Sequence, residues 1–411
     1  MKEKQLKEYL QNLIKKLAIL TLKKYQPGIV AVTGSVGKTS AKDAILAVIS
    51  RYRHARANNK NFNNEIGVPL TILGDYKEIA GRLFWPKVIF MALLRLVIRL
   101  KYPEILILEY GVDKPGDMKY LLDIAKPQIG VVTAIGEIPV HVEFFSGPEA
   151  LAREKSKLVE GLPVTSFAVL NYDDEAVFEM KDRTRAHIMT FGFGEGATIR
   201  ISNFETRMNG EKPGGIAFKL EYGGSFVPVR LDNCFGKAQA YSAAAAACIG
   251  IIFGVNLIKI AEALRNYEAP ASRGKLIMGV KGTYIMDDSY NASPLSMRAA
   301  IETAESIKAK RKVAVFGDML EIGKYTAEAH EAIGRLIPDK FDILIAVGAR
   351  AKFIADAAEK GGMAKKSVYC FDTADEAKLE VQKLIKKGDL ILIKASRAIG
   401  LDKIVEEIRQ I

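Results

Sequence analysis

The chain has 411 residues, 49% hydrophobic and 26% charged, enough for a sizeable core and for two or three domains rather than one. Its net charge of +12 favours polyanions such as nucleotides or anionic lipid, but no dense basic run is interleaved with aromatics, so nucleic acid is not an expected partner. Three scattered cysteines, Cys234, Cys248 and Cys370, form no C-x-x-C pair; they exclude a disulfide framework and a four-cysteine zinc site, and fit a reducing cytoplasm.

Leu6, Leu10, Leu13, Leu17 and Leu20 recur with helical period among lysines. They predict a basic amphipathic helix over residues 4–25, ended by Pro27 and Gly28. The charged start is followed by no small-residue cleavage site, so it does not read as a signal peptide. Ile29-Val30-Ala31-Val32 predicts a buried strand running into a glycine-rich turn and a second helix over 41–50. The most apolar stretch, 83–100, is interrupted by Lys87, Arg95 and Arg99 and falls short of the about 20 apolar residues that cross a bilayer.

Strand-like runs at 105–108 and 129–133 alternate with helical patterns at 118–125 and 148–160. Residues 198–232 are glycine-rich with alternating polarity and predict antiparallel strands. An alanine-rich helix is expected over 240–250. After Pro270 the alternation restarts, with strands at 283–286, 312–316, 343–347 and 390–393. The pattern predicts an α/β protein: a P-loop-type central ATPase domain with a mostly parallel sheet, then a C-terminal Rossmann-like α/β domain. The expected divisions are 1–27 for the basic helix, 28–269 and 270–411.

The strongest motif is Thr33-Gly34-Ser35-Val36-Gly37-Lys38-Thr39-Ser40, between a predicted strand and a predicted helix. Glycines let backbone N–H groups face phosphates, Lys38 places charge on the β- and γ-phosphates, and the Thr39 hydroxyl suits Mg2+. The helix that follows adds the positive end of its dipole. The general phosphate-loop pattern has glycine where Val32 stands.

Several further segments carry a resemblance to one family. These are Asn61-Phe62-Asn63-Asn64-Glu65-Ile66-Gly67-Val68-Pro69-Leu70; Glu109-Tyr110-Gly111 with Pro115-Gly116-Asp117; Thr133 to Gly136 followed by His141; Asp287-Asp288-Ser289-Tyr290-Asn291-Ala292-Ser293-Pro294; Gly317-Asp318-Met319-Leu320-Glu321-Ile322-Gly323; and Lys394-Ala395-Ser396-Arg397. In this order, over about residues 28–411, they resemble the Mur ligases, and the Asp287–Pro294 and Gly317–Gly323 segments resemble the branch that adds D-alanyl-D-alanine. The T-G-x-x-G-K-T-S form of the loop is similar to that family's variant.

The resemblance implies an ADP-forming ligase. ATP phosphorylates a substrate carboxylate, an amine attacks the acyl phosphate, and an amide forms with release of phosphate. The implied reaction joins D-alanyl-D-alanine to a UDP-linked muramoyl tripeptide in peptidoglycan precursor synthesis, which serves cell-wall growth, cell shape and cell division. ATP and two Mg2+ ions are the implied cofactors. Gly34, Ser35, Val36, Gly37, Lys38, Thr39 and Ser40 hold the phosphates, and Thr39, Glu109, His141 and Lys155 serve the metals, His141 through water and Lys155 as a carbamate. Lys38, Glu109, His141 and Lys155 form the implied catalytic set. Arg273 reaches the phosphates, Asp287 or Asp288 contacts the ribose or orders a water, and Asn291 belongs to the same nucleotide set. Asn63, Asn64, Lys394, Ser396 and Arg397 are the implied substrate residues.

Two places depart from the family pattern. Its G-R-H-N-x-x-N segment reads Gly236-Lys237-Ala238-Gln239-Ala240-Tyr241-Ser242, so Gln239 and Ser242 stand where amides hold adenine, and Ser272 replaces the glycine before Arg273. Members that bind UDP-sugar peptides have a whole domain ahead of the loop; here one basic helix precedes it, so the UDP contacts are lost, moved or supplied by a partner. The helix at 4–25 and the 83–100 stretch either present a lipid-linked precursor at a membrane surface or pack on each other as a reduced first domain. The expected state is a cytoplasmic monomer. Competing readings are another Mur-type peptide ligase acting on a pseudomurein, capsule or lipid-linked precursor, a nucleotide-binding protein without catalysis, and a P-loop kinase.

Overall fold

The computed structural model describes residues 2–59, 62–210 and 212–410. Asn61, in the N-x-N-N segment, lies outside the described residues, as does the Leu6 side chain in the first helix.

Among the described residues, fifteen strands form two sheets. The first holds β1 (Gly28–Thr33), β2 (Ala55–Ala57), β3 (Ile105–Glu109), β4 (Ile129–Val132), β5 (Phe167–Asn171), β6 (His187–Gly192), β7 (Ile199–Asn209), β8 (Lys212–Tyr222) and β9 (Ser225–Asp232). Their order is β2-β3-β1-β4-β5-β6-β7-β8-β9. Pairing is parallel from β2 through β7 and antiparallel across β7-β8-β9, so the glycine-rich hairpins extend the parallel sheet.

The second sheet holds β10 (Lys275–Gly279), β11 (Thr283–Asp287), β12 (Arg311–Gly317), β13 (Ile343–Val347), β14 (Val368–Phe371) and β15 (Asp389–Lys394). Its order is β10-β11-β15-β12-β13-β14, parallel except at the β10 edge.

Parallel strands are buried on both faces and so read as continuous aliphatic runs. In β1, Val30 and Val32 enter one core with helices Lys38–Ile49, Lys237–Ile252 and Leu257–Leu264. The intervening Ile29 and Ala31 enter the opposite core with helices Lys2–Tyr25, Gly67–Leu73, Asp117–Ile124 and Pro148–Glu160. The second sheet divides likewise: Ala314 and Phe316 face helices Pro294–Ser306 and Thr326–Gly334, while Val313 and Val315 face Ala374–Leu384 and Asp402–Ile408. The run Ala243 to Ala247 is fully buried, and its small side chains let helix Lys237–Ile252 lie close against helix Lys38–Ile49.

The 83–100 stretch forms one helix, Phe84–Val97, packed on helices Lys2–Tyr25 and Gly67–Leu73. No described helix is long and apolar enough to cross a membrane.

The sheets meet where their loops face each other. Gln239 donates to the Arg273 carbonyl at 3.2 Å, the Glu143 N–H donates to the Glu321 carbonyl at 3.4 Å, and the Thr206 and Ser306 hydroxyls lie 2.8 Å apart. The chemistry-bearing loops converge on this seam.

Candidate active site

The carboxyl end of β1 runs into the phosphate loop, and two positions there require glycine. Gly34 has φ +143°, and a Cβ on it would sit 2.1 Å from Thr133 Oγ1. Gly37 caps the following helix with φ +88°, a left-handed conformation that L side chains rarely adopt. The Ser35 and Val36 N–H groups donate to the Ala134 carbonyl at 2.6 and 3.1 Å, tying the loop to the segment after β4. Asp174 fixes that segment in turn, accepting from Ile135 N–H at 2.8 Å and Gly136 N–H at 2.9 Å.

Inside this frame Lys38 folds back on its own loop, donating to the Gly34 carbonyl at 2.9 Å. Burial lowers its pKa, with Glu109 and Asp113 opposing and Arg273 adding to the effect. The Ser35 hydroxyl is buried without a hydrogen-bond partner among the described residues. An orphaned hydroxyl beside a partly desolvated ammonium on a glycine-rich turn suits the oxygens of a phosphate.

Thr39 donates to Glu109 Oε2 at 2.8 Å, and the Asn63 amide donates to Oε1 of the same carboxylate at 3.0 Å. Asn58 positions the strand end, accepting from the Glu109 N–H at 2.8 Å. Glu109 is 2% exposed, a buried carboxylate next to a hydroxyl beneath the phosphate loop. That all-oxygen pair suits a hard cation, and Mg2+ takes few protein ligands while keeping waters and substrate phosphates. Among the described residues no group of three or more His, Cys, Asp or Glu side chains forms a ready-made metal cage.

His141 stands at φ +72°, its Nε2 3.2 Å from Asp113 and its Nδ1 2.7 Å from Glu321. The second approach has the distance of a hydrogen bond without its angles, leaving Nδ1 buried and unsatisfied. Burial lowers the imidazole pKa to about 4, with Asp113 pulling it up and Lys38 and Lys155 pushing it down.

Lys155 is 1% exposed on helix Pro148–Glu160 and forms no ion pair among the described residues. Its neighbours differ. Lys157 pairs with Glu154 at 2.6 Å, and Glu154 accepts from the Gly116 and Met118 N–H groups at 3.0 and 3.2 Å. Burial brings Lys155 down to about 7, helped by Lys38 and opposed by Asp113, Asp117 and Glu154.

Across the seam Asp287 accepts from Ser272 and Ser289, at 2.8 and 2.7 Å. Asp288 pairs with the buried Lys394 at 2.6 Å, and Lys394 also donates to the Asn291 carbonyl at 2.8 Å. Burial raises the Asp288 carboxyl above the usual range, with Lys394 pulling it back. The Arg273 and Arg397 guanidiniums stand 4.1 and 5.3 Å from the centre of the Tyr290 ring. Arg273, Asp288 and Asn291 line a small cavity of about 110 Å3 with Ser35, Gly37 and Ser40. Beside it lies a larger cavity of about 660 Å3, walled by Val36, Phe191 and Tyr241 on one side and Leu295, Arg298 and Glu302 on the other.

The structure thus brings Lys38, Thr39, Glu109, His141, Lys155 and Arg273 into one electrostatic neighbourhood. Other residues singled out in the sequence have internal partners. Asn64 accepts from Ile66 and Gly67 N–H just ahead of helix Gly67–Leu73; the Ser396 hydroxyl accepts from Leu320 N–H at 2.8 Å. The Gln239 amide joins Tyr267 at 2.6 Å to Arg273, and Ser242 bonds back to the Ala238 carbonyl at 2.9 Å, though its residue lines the larger cavity. Asp113, Asp174 and Tyr241 were missed; only the approach of distant loops reveals them. A signal for Asp113 existed in its place four residues after Glu109, at the same strand end.

Two family models match the chain: the Mur ligase middle domain over residues 32–250, and the Mur ligase, glutamate ligase domain over 272–397. The chain belongs to the Mur ligase family. The UDP-N-acetylmuramoyl-tripeptide–D-alanyl-D-alanine ligase of Bacillus subtilis is 30% identical to it over 402 residues, 96% of this chain and 79% of that protein. MurF of Acinetobacter baumannii superposes with a TM-score of 0.79 at 25% identity, covering 96% of this chain and 79% of that one. The MurF ligase of Thermotoga maritima in complex with ADP gives a TM-score of 0.78 at 25% identity, covering 97% and 83%.

Proposed function

We propose that this chain is an ATP-dependent, ADP-forming ligase that joins D-alanyl-D-alanine to the tripeptide of a UDP-linked muramoyl precursor. The observation that carries this reading is the group of Lys38, Thr39–Glu109 and Lys155, buried without an ion pair among the described residues, at the seam between the sheets in a chain related to the ligases named above. The proposed division is 1–27, 28–269 and 270–411; the cores of the two sheets support the boundary near 270, while the helix in 1–27 packs into the first sheet's core.

The nucleotide's triphosphate lies on the loop N–H groups, with Lys38 exchanging the Gly34 carbonyl for phosphate oxygens. Thr39 and Glu109 would hold Mg2+, whose chemistry would be to offset the charge where γ-phosphate and substrate carboxylate meet. Arg273, 4.1 Å from the Tyr290 ring centre, brings a second cation to the phosphates from across the seam. The substrate carboxylate takes the γ-phosphoryl group. The dipeptide amine then attacks the acyl carbon, loses a proton, and expels phosphate as the amide forms. Lys155, near 7, is part neutral at physiological pH. Its free amine adds CO2 and releases a proton to become a carbamate, turning a repelled cation into an oxygen ligand for a metal. Asp287 stays on its serines and Asp288 on Lys394, so their part is to shape the ribose side of the cavity.

The test is phosphate release by purified protein with ATP, Mg2+ and UDP-muramoyl-tripeptide, with and without D-alanyl-D-alanine. Release that needs both, with a pentapeptide mass in the product, is the expected result. A competent nucleotide-binding protein that releases none overturns this substrate assignment.

A further inference from the structure

Helix Phe84–Val97 leaves one face uncovered. Leu83 is 77% exposed, Phe90 64%, Leu93 50% and Val97 82%, and Ile98 adds 51%. Their spacing, with the exposed Lys87 between, is that of a single stripe along the helix. Isolated exposed apolar side chains are ordinary, but a continuous stripe of this kind marks a contact surface. The opposite face is firmly held. Lys24 donates to the Arg95 and Leu96 carbonyls at 2.8 and 3.0 Å, the Leu100 N–H donates to Tyr25 at 3.0 Å, and the Arg95 guanidinium reaches the Leu73 carbonyl. Tyr25 and Tyr102 stack at 4.4 Å beneath the helix end. The stripe is therefore presented by a fixed element rather than by a loose tail.

The charges around it are predominantly positive. Lys77, Arg82, Lys87, Arg99 and Lys101 are exposed at its rim, against Glu78 alone between residues 76 and 102. The adjoining helix contributes exposed Lys16 and Lys23, and no acidic residue occurs from Tyr9 through Gln26. Aliphatic and aromatic side chains ringed by lysine and arginine match an interface of acyl chains under anionic headgroups. The helix is 14 residues, roughly 21 Å, so it lies along a bilayer rather than through it.

We propose that this face docks the protein peripherally on an anionic lipid bilayer. It goes beyond the ligase reading and stands or falls separately from it. Helix Gly67–Leu73 links the face to the site: Arg95 holds its carboxyl end, and the Asn63-Asn64 segment that contacts Glu109 leads into its start. Docking therefore places the reaction at the membrane surface.

Trp85, the chain's single tryptophan, sits half-buried at the start of this helix, packed against the core beside the stripe, and senses lipid that reaches the helix. The experiment mixes full-length protein with vesicles of phosphatidylglycerol and phosphatidylcholine, or of phosphatidylcholine alone, at low and physiological salt. It reads co-sedimentation and quenching of Trp85 by brominated acyl chains. Binding to the anionic vesicles, weakened by salt, with Trp85 quenched, is expected. Phe90→Gln, Leu93→Gln and Val97→Gln together keep helix propensity and should weaken partitioning about tenfold or more. Lys87→Glu with Arg99→Glu should remove the preference for anionic lipid. ATP turnover in solution stays intact in both variants and shows that they fold. Three results overturn the proposal: no binding at low salt, equal binding by the triple glutamine variant, or a dimer in solution that this same variant dissociates.

Discussion

Near the carboxyl end of β1, two lysines are held in reserve; at the ends of β11, β12 and β15, charged side chains are committed to partners. Lys38 rests on backbone carbonyls, and Lys155 is buried without an ion pair among the described residues. Across the seam Lys394 is closed on Asp288, Asp287 on two serines, and Asp318 on the Arg350 and Ala351 N–H groups. Both ends belong to parallel α/β sheets, where ligands gather. The difference teaches that one end is arranged to receive charge and the other to hold its own loops in shape. A buried cation without an anion costs stability, and such a cost is tolerated where a ligand completes the pair.

Substitutions sharpen this contrast. Lys38→Ala should lower ATP turnover about a thousandfold or more, ~4 kcal/mol of transition-state stabilisation, with the melting temperature hardly changed. A steady-state phosphate assay beside calorimetry separates the two effects. Lys394→Met should act in the opposite sense. It strands Asp288 as a buried carboxylate and costs about 3 kcal/mol in denaturant unfolding, much of it recovered by adding Asp288→Asn.

Lys155→Met should reduce turnover about a hundredfold, ~2.7 kcal/mol, without loss of stability near neutral pH. Its pH signature follows from linkage. The lysine titrates at about 7 when folded and near its ordinary 10.5 when unfolded. Between those values the unfolded chain binds more protons, so native stability rises with pH, and below 7 the full penalty applies. In CO2-free buffer, wild-type protein should therefore gain on Lys155→Met as pH climbs from about 7 towards 10. A flat difference in melting temperature breaks the argument. Least of all, Asn64→Ala should cost about 1 kcal/mol through its lost hydrogen bonds to the Ile66 and Gly67 N–H groups, with little change in KM for the muramoyl peptide. A large KM effect would reassign Asn64 to substrate.

Much of this was legible in the chain. The aliphatic run before Gly34 predicted β1, the antiparallel region at 198–232 became β7 to β9, and 343–347 became β13. These elements announce themselves because local periodicity and burial agree. Short β2 and edge strand β14, with mixed burial, carry no such pattern. The phosphate loop was readable because its geometry is local. The flanking of His141 by Asp113 and Glu321 was not, since those residues are 208 positions apart and meet only when both sheets are folded. Gln239 shows a related limit: the family pattern suggests a base contact, and only the fold reveals that its amide also bridges Tyr267 and the Arg273 carbonyl while the residue lines the small cavity.

The 660 Å3 cavity has walls from both sheets' territories, with Leu295, Arg298 and Glu302 roofing what Phe191 and Tyr241 floor. Whatever fills it is mortar between two bricks. A ligand filling it would touch both halves at once, so its departure would ask the two walls to part. Added glycerol or sucrose is then expected to slow turnover, and a rate indifferent to viscosity breaks that link.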